Sequence, residues 1–91
     1  MEVKEAVAAA KACVRELFVG ESIANIGLEE VAYDEAAGQW HVTIGFARPW
    51  EMSIGLMTVQ GQGTSRSYKV IAISDRDGRV VSVRDRDLSP P

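Results

Sequence analysis

The chain has one cysteine, Cys13, one histidine, His41, and no run of 18 apolar residues. Without such a run there is no membrane-spanning helix to expect. A lone cysteine excludes the disulfide framework that holds small secreted domains together, and agrees with a reducing compartment. The first residues are amphipathic and carry acids from Glu2 onward, whereas a secretory leader has a basic start and then a uniformly apolar run. The expected location is therefore cytoplasmic. A single histidine with no second His or Cys beside it is a poor metal site, so no metal and no cofactor are expected. Bases are also in short supply: 10 Lys and Arg stand against 13 Asp and Glu, for a net charge of −3 and a pI near 5.0. A nucleic-acid-binding domain is usually strongly basic, so nucleic acid is not an expected partner.

What charge there is falls unevenly. Residues 1–65 carry a net −5 and residues 66–91 a net +2. In the second part Arg66, Lys69, Arg76, Arg79, Arg84 and Arg86 alternate with Asp75, Asp77, Asp85 and Asp87. Such interleaving reads as a solvated strand face. With 91 residues, 46% hydrophobic and 25% charged, the chain has the make-up of one ordinary globular domain. A domain of this size buries roughly 60–65% of its extended surface, enough for a single core.

The organising stretch is at the start. Val3, Ala6, Val7, Ala10, Cys13, Val14, Leu17 and Phe18 recur in steps of three and four, which places them on one stripe of a helix. Ala8, Ala9 and Ala12 add helix propensity, and Gly20 is the expected stop. The reading is a helix over 2–19 that needs a surface to lie on. Strands over about 26–34, 39–47, 66–74 and 79–85 supply it. Trp40, Val42, Ile44 and Phe46 alternate cleanly with His41, Thr43 and Gly45, and the first set is expected to face the helix. The adjacent Glu29 and Glu30 break the alternation of the first strand, which predicts a bulge or a late start. Asp34-Glu35-Ala36-Ala37-Gly38 and Asp75-Arg76-Asp77-Gly78 read as hairpin turns. Ser67–Ser74 is apolar on both sides, as a central strand would be. The expected fold class is α+β: an N-terminal helix packed across a four-stranded antiparallel sheet.

Catalysis by a nucleophile needs a base and an orienting group within reach. Cys13 lies on the helix stripe and His41 on the strand face away from Trp40, so the two are expected to point into different regions, and no enzyme is expected. Counted from Asp75, the sixth residue is Val80 and the twelfth Arg86, neither of which suits a calcium loop. Gln60-Gly61-Gln62-Gly63 lacks the following helix that would cradle phosphate.

The feature left over is residues 48–65, irregular or an extended hairpin, in which Pro49, Gly55, Gly61 and Gly63 dilute an apolar run. Arg48, Trp50, Met52 and Met57 are of types enriched at the centres of protein interfaces, and Ile54 and Leu56 extend the apolar run beside them. The leading functional expectation is a non-enzymatic interaction module of accessory, regulatory or immunity type. It would bind a protein partner, or a second copy, through residues 48–59. The alternative is a small apolar ligand held between helix and sheet, with Tyr33, Trp40 and Phe46 as lining.

The helix followed by hairpins resembles the cystatin-like architecture. Tyr68-Lys69-Val70-Ile71-Ala72-Ile73 with Asp77-Gly78-Arg79-Val80-Val81 is similar to the closing hairpin of PepSY-type domains. That resemblance implies a small accessory or inhibitory module. Cystatins inhibit through a Gln-Val-Val-Ala-Gly loop followed by a Pro-Trp loop. Here Pro49-Trp50 precedes Val59-Gln60-Gly61-Gln62-Gly63, so no inhibitory residue is carried over. The Tyr-x-Val, Asp-Gly and Arg-rich ending also resembles gas-vesicle accessory proteins, which implies a structural accessory role as a third reading.

Overall fold

The computed structural model describes residues 1–48 and 66–86. Helix α1 spans Val3–Leu17, and strands β1 (Ala24–Asp34), β2 (Gln39–Ala47), β3 (Ser67–Ser74) and β4 (Val80–Asp85) follow in chain order. The strands form one antiparallel sheet in the order β1-β2-β3-β4. This is the α+β class, with the helix lying on one face of the sheet. Among the described residues, no helix is long and apolar enough to cross a membrane.

The helix opens on Glu2, whose backbone N–H donates to Glu5 Oε1 at 2.8 Å. The carboxylate in the first turn also suits the positive end of the helix dipole. Only Ala6, Ala10 and Val14 are fully buried along the stripe. They are four residues apart, and two of them are alanines, so the helix axis can settle close to the sheet. Beneath this seam lie Val42, Ile44 and Phe46 of β2 and Ile71 and Ile73 of β3, all fully buried. Residues at the edge of the stripe are not covered: Val3 is 41% exposed and Leu17 58%.

Gly20 does not end the helix. Helical hydrogen bonding closes with Phe18 N–H on the Val14 carbonyl at 3.1 Å. A 3₁₀ turn over Val19–Glu21 follows, and the left-handed residue that redirects the chain is Ser22, at φ 52°. The 3₁₀ turn satisfies another carbonyl, Glu21 N–H reaching Phe18 O at 2.9 Å. The reversal is thereby delayed past the glycine. Glycine is used as expected at the hairpins instead, with Gly38 at φ 66° and Gly78 at φ 75°.

Strand β1 carries two irregularities. Pairing jumps from Ala24↔Ala47 to Gly27↔Gly45, and from Leu28↔Ile44 to Glu30↔Thr43. The second jump makes Glu29 the extra residue, at the place where the paired acids predicted a bulge. The bulge shifts the alternation by one. Leu28 before it and Val31 and Tyr33 after it therefore all share the helix side, opposite Ile44, Val42 and Trp40. The first jump, with Asn25 at φ 57°, lets the ladder continue back to Ala24, two residues before the expected start.

The other face of the sheet can be read off the same register. One row runs Glu30–Thr43–Val70–Arg84 and the next Ala32–His41–Ala72–Ser82, each in strand order. Its middle is made of small or modest side chains, and Thr43 and Ala72 are buried there. At its end Gly45 lies beneath Glu29, Arg66 and Tyr68, where a Cβ would meet the Glu29 carboxylate at 2.8 Å.

Candidate functional site

Arg48, the first residue of the expected contact segment, turns back onto its own chain. Its guanidinium sits 5.4 Å from the Phe18 ring centre and 5.7 Å from that of Phe46, and its Nε is 3.5 Å from Glu21. The two rings pack at 5.1 Å. Lys69, which the register places on the helix side opposite Ile44, adds a second cation 5.7 Å from Phe18. Its ammonium hydrogen-bonds Asp85, and that bond, with the charge behind it, holds the Asp85 carboxyl below its ordinary value. Two cations thus stand over the carbonyl end of α1, where the helix dipole favours them. Trp50, Met52, Ile54, Leu56 and Met57 lie outside the described residues.

The three residues expected to line a pocket do not meet. Tyr33 and Trp40 stack in a tilted pair at 4.9 Å, near the two hairpin turns. Trp40 Nε1 donates to Asp75 Oδ1 at 2.9 Å, tying the first hairpin to the second. The Met1 amino group is 3.4 Å from the same carboxylate. The indole N–H is the main reason that the Asp75 carboxyl titrates below its usual range, and the amino group adds to it. Phe46 is six residues along β2 from Trp40, about 20 Å at strand rise, and fully buried under Phe18.

The open space lies elsewhere, on the two flanks of the helix. One helix is narrower than four strands, so both sides of it leave apolar sheet uncovered. Toward β1, Val3, Val7, Leu28 and Val31 form a groove of about 420 Å³ with Lys4 and Lys11 at its rim. Toward β4, Ala9, Ala12, Cys13, Leu17 and Val80–Val83 form a wider one of about 620 Å³. The second groove is edged by Leu17 and by Val81, which is 50% exposed, and Val19, 78% exposed, follows just beyond the helix. Sequence reasoning assigned Leu17 to the core and passed over Val80-Val81. The available signal was that two adjacent valines cannot both point inward from a regular strand. The register shift between Ala72 and Ile73 leaves Val81 as the extra residue.

The reactive side chains are apart. Cys13 faces the β4-side groove, and burial, with Glu16 second, raises its thiol pKa. The thiolate that a nucleophile requires is thereby disfavoured. His41 is on the far face, with its Nε2 3.3 Å from Gln39 Oε1. Among the described residues, no three His, Cys, Asp or Glu side chains converge as metal ligands. No family model, no curated protein and no solved structure matches this chain.

Proposed function

We propose that the chain is a non-catalytic protein-interaction module. The observation that carries this reading is the exposed apolar border at the β4 side of the helix, where Leu17, Val80 and Val81 line one groove and are each more than a third exposed. A contiguous border of this kind, beside a groove, is the usual mark of a surface that another chain covers. The segment 48–59 supports the same reading by composition alone, with Trp50 and Met57 as its anchors. The resemblance of its helix and hairpins to cystatin-like and PepSY-type domains supports an accessory or inhibitory role, and a cytoplasmic setting suits the single thiol. The separation of Cys13 from His41 is the argument against catalysis.

The test compares the tagged wild-type chain with Leu17→Lys/Val81→Lys in the same cell extract. Both positions are half or more exposed, so the variant should melt within a few degrees of wild type. A stoichiometric partner held by the wild type and lost by the variant supports the reading. Equal recovery with both proteins, or none with either, defeats it. A second reading has one observation in its favour, because about 620 Å³ with apolar walls is the size of a small-ligand site. One-to-one binding of an apolar dye, lost in the same variant, would select it.

A further inference from the structure

Helix α1 sorts its charges by side. At about 100° per residue, Lys4, Lys11 and Arg15 fall within roughly 40° of one another around the axis, and Glu5 and Glu16 lie about 120° away. The bases take the flank toward β1, where Lys4 and Lys11 edge the groove floored by Val3, Val7, Leu28 and Val31. Glu16 lines the groove on the β4 side. Among the described residues, Lys4, Lys11 and Arg15 make no ion pair and no side-chain hydrogen bond. Lys4 sits in the first turn of the helix, the end at which the dipole disfavours a cation, so helix stability does not account for it. The nearest acids of β1 do not reach across: Glu29 pairs with Arg66 at 3.5 Å, and Glu30 shares the outer face of the sheet with Thr43. Val3 and Leu28 leave the floor of the groove exposed.

We propose that the β1-side groove binds an amphipathic helix of another protein, one that carries a row of acids beside its apolar stripe. The stripe lies on Val3, Val7, Leu28 and Val31, and the acids face Lys4 and Lys11. Helices dock in grooves through apolar anchors at i, i+3, i+4 and i+7. Lys4 and Lys11 are about 10 Å apart along the axis, so acids two turns apart on the partner meet both. An extended peptide fits less well, because strand addition needs a continuous ladder and β1 is irregular at Asn25 and Glu29. A lipid surface is flat and does not reach the floor of a groove, and anionic headgroups would repel Glu29 and Glu30 beside it. A second copy offers the wrong charge. Packed antiparallel about Val7 and Ala8, two copies of α1 would set Lys4 against the partner's Lys11. Glu5 and Glu16 lie on the other flank, so a copy presents them only head to tail, in a contact that does not close. This groove and the apolar border at β4 are on opposite flanks of α1, and either can fail without the other.

Two labelled helical peptides with the same leucine stripe test it, one flanked by glutamates at i and i+7 and the other by lysines at the same places. The chain has a net charge of −3, so its overall field attracts the lysine peptide, and a preference for the glutamate peptide requires a local basic site. Fluorescence anisotropy should show the glutamate peptide binding roughly tenfold tighter or more, a preference that fades in about 1 M salt, where screening acts within about 3 Å. Lys4→Glu/Lys11→Glu should reverse the preference while melting like wild type, since an acid in the first turn suits the helix. Leu28→Thr should weaken both peptides. No binding of either peptide, equal binding of both, or a Lys4→Glu/Lys11→Glu variant that still prefers the glutamate peptide would each overturn the proposal. Loss of the glutamate peptide in Leu17→Lys/Val81→Lys would place it on the β4 flank and overturn it as well. Unchanged binding in that variant supports the β1 groove and keeps this result separate from the test of the apolar border.

Discussion

Val14 is the position at which the helix-on-sheet arrangement can be tested most severely. It is fully buried in the cluster formed with Ala6, Ala10, Val42, Ile44, Ile71 and Ile73. Val14→Ala removes two methyl groups, worth about 0.8 kcal/mol each in transfer from water. The void adds up to about 1 kcal/mol more, for a total near 2–2.5 kcal/mol. With a urea slope of about 1.2 kcal/mol per molar for a small domain, the midpoint should fall by about 2 M. Val14→Asp places a carboxyl where every neighbour is apolar. Its cost is the lost burial plus several kcal/mol for an unpaired polar group. A domain of this length has roughly 5–14 kcal/mol in all, so the aspartate variant should retain little folded protein at neutral pH. The assay is far-UV circular dichroism during urea titration of wild type, Val14→Ala and Val14→Asp. A cooperatively melting Val14→Asp with a midpoint within about 0.5 M of wild type, about 0.6 kcal/mol by the same slope, would refute the packing of α1 on β2 and β3.

Two further outcomes follow from titrating groups. Asp75 is held below its ordinary pKa chiefly by Trp40, so its contribution is present above the unfolded-state value, near 3.9, and is lost as pH falls from there through the lowered folded-state value. Asp75→Asn should therefore flatten the acid limb of the stability curve and lower stability at pH 7, read by thermal melts from pH 2 to 7; an unchanged acid limb would contradict the Trp40–Asp75 link. The Cys13 thiol, raised by burial and then by Glu16, should react with iodoacetamide more slowly at pH 8 than a free thiol does, and Glu16→Gln should move its rate profile to lower pH. A midpoint at or below that of a free thiol would show that Cys13 is not shielded by the β4-side groove.

Strand β2 was legible to the residue because Trp40–Phe46 alternates without interruption, and Val42, Ile44 and Phe46 of its inward set are fully buried; that Thr43 and Gly45 of the outward set are buried as well was not legible. The bulge in β1 was legible because two adjacent glutamates have no regular place in a half-buried strand. The helix end was misplaced because a 3₁₀ turn can absorb a glycine without using its left-handed freedom, a choice made by backbone hydrogen bonds that composition does not encode. The apolar border was missed for a geometric reason. A stripe of eight apolar positions says that a helix has a buried side, but the width actually covered depends on how closely Ala6 and Ala10 let it approach. The sorting of Lys4, Lys11 and Arg15 from Glu5 and Glu16 around α1 was present as spacing in the sequence, but needed the packed helix before it had a direction. Arg48 had the right residue type for an interface, yet Phe18, Phe46 and Glu21 occupy it within the chain.

The irregularities of β1 have a consequence for how the sheet ends. An outer strand with a regular backbone offers a row of N–H and C=O groups to any passing extended chain, and is a template for aggregation. Here that row is interrupted at Asn25 and again at Glu29, and the glutamates beside the second interruption add charge. At the opposite border β4 is short, with Val81 as an extra residue near its start and Arg84 and Asp85 near its end. Each margin is thus a poor template for indefinite strand addition.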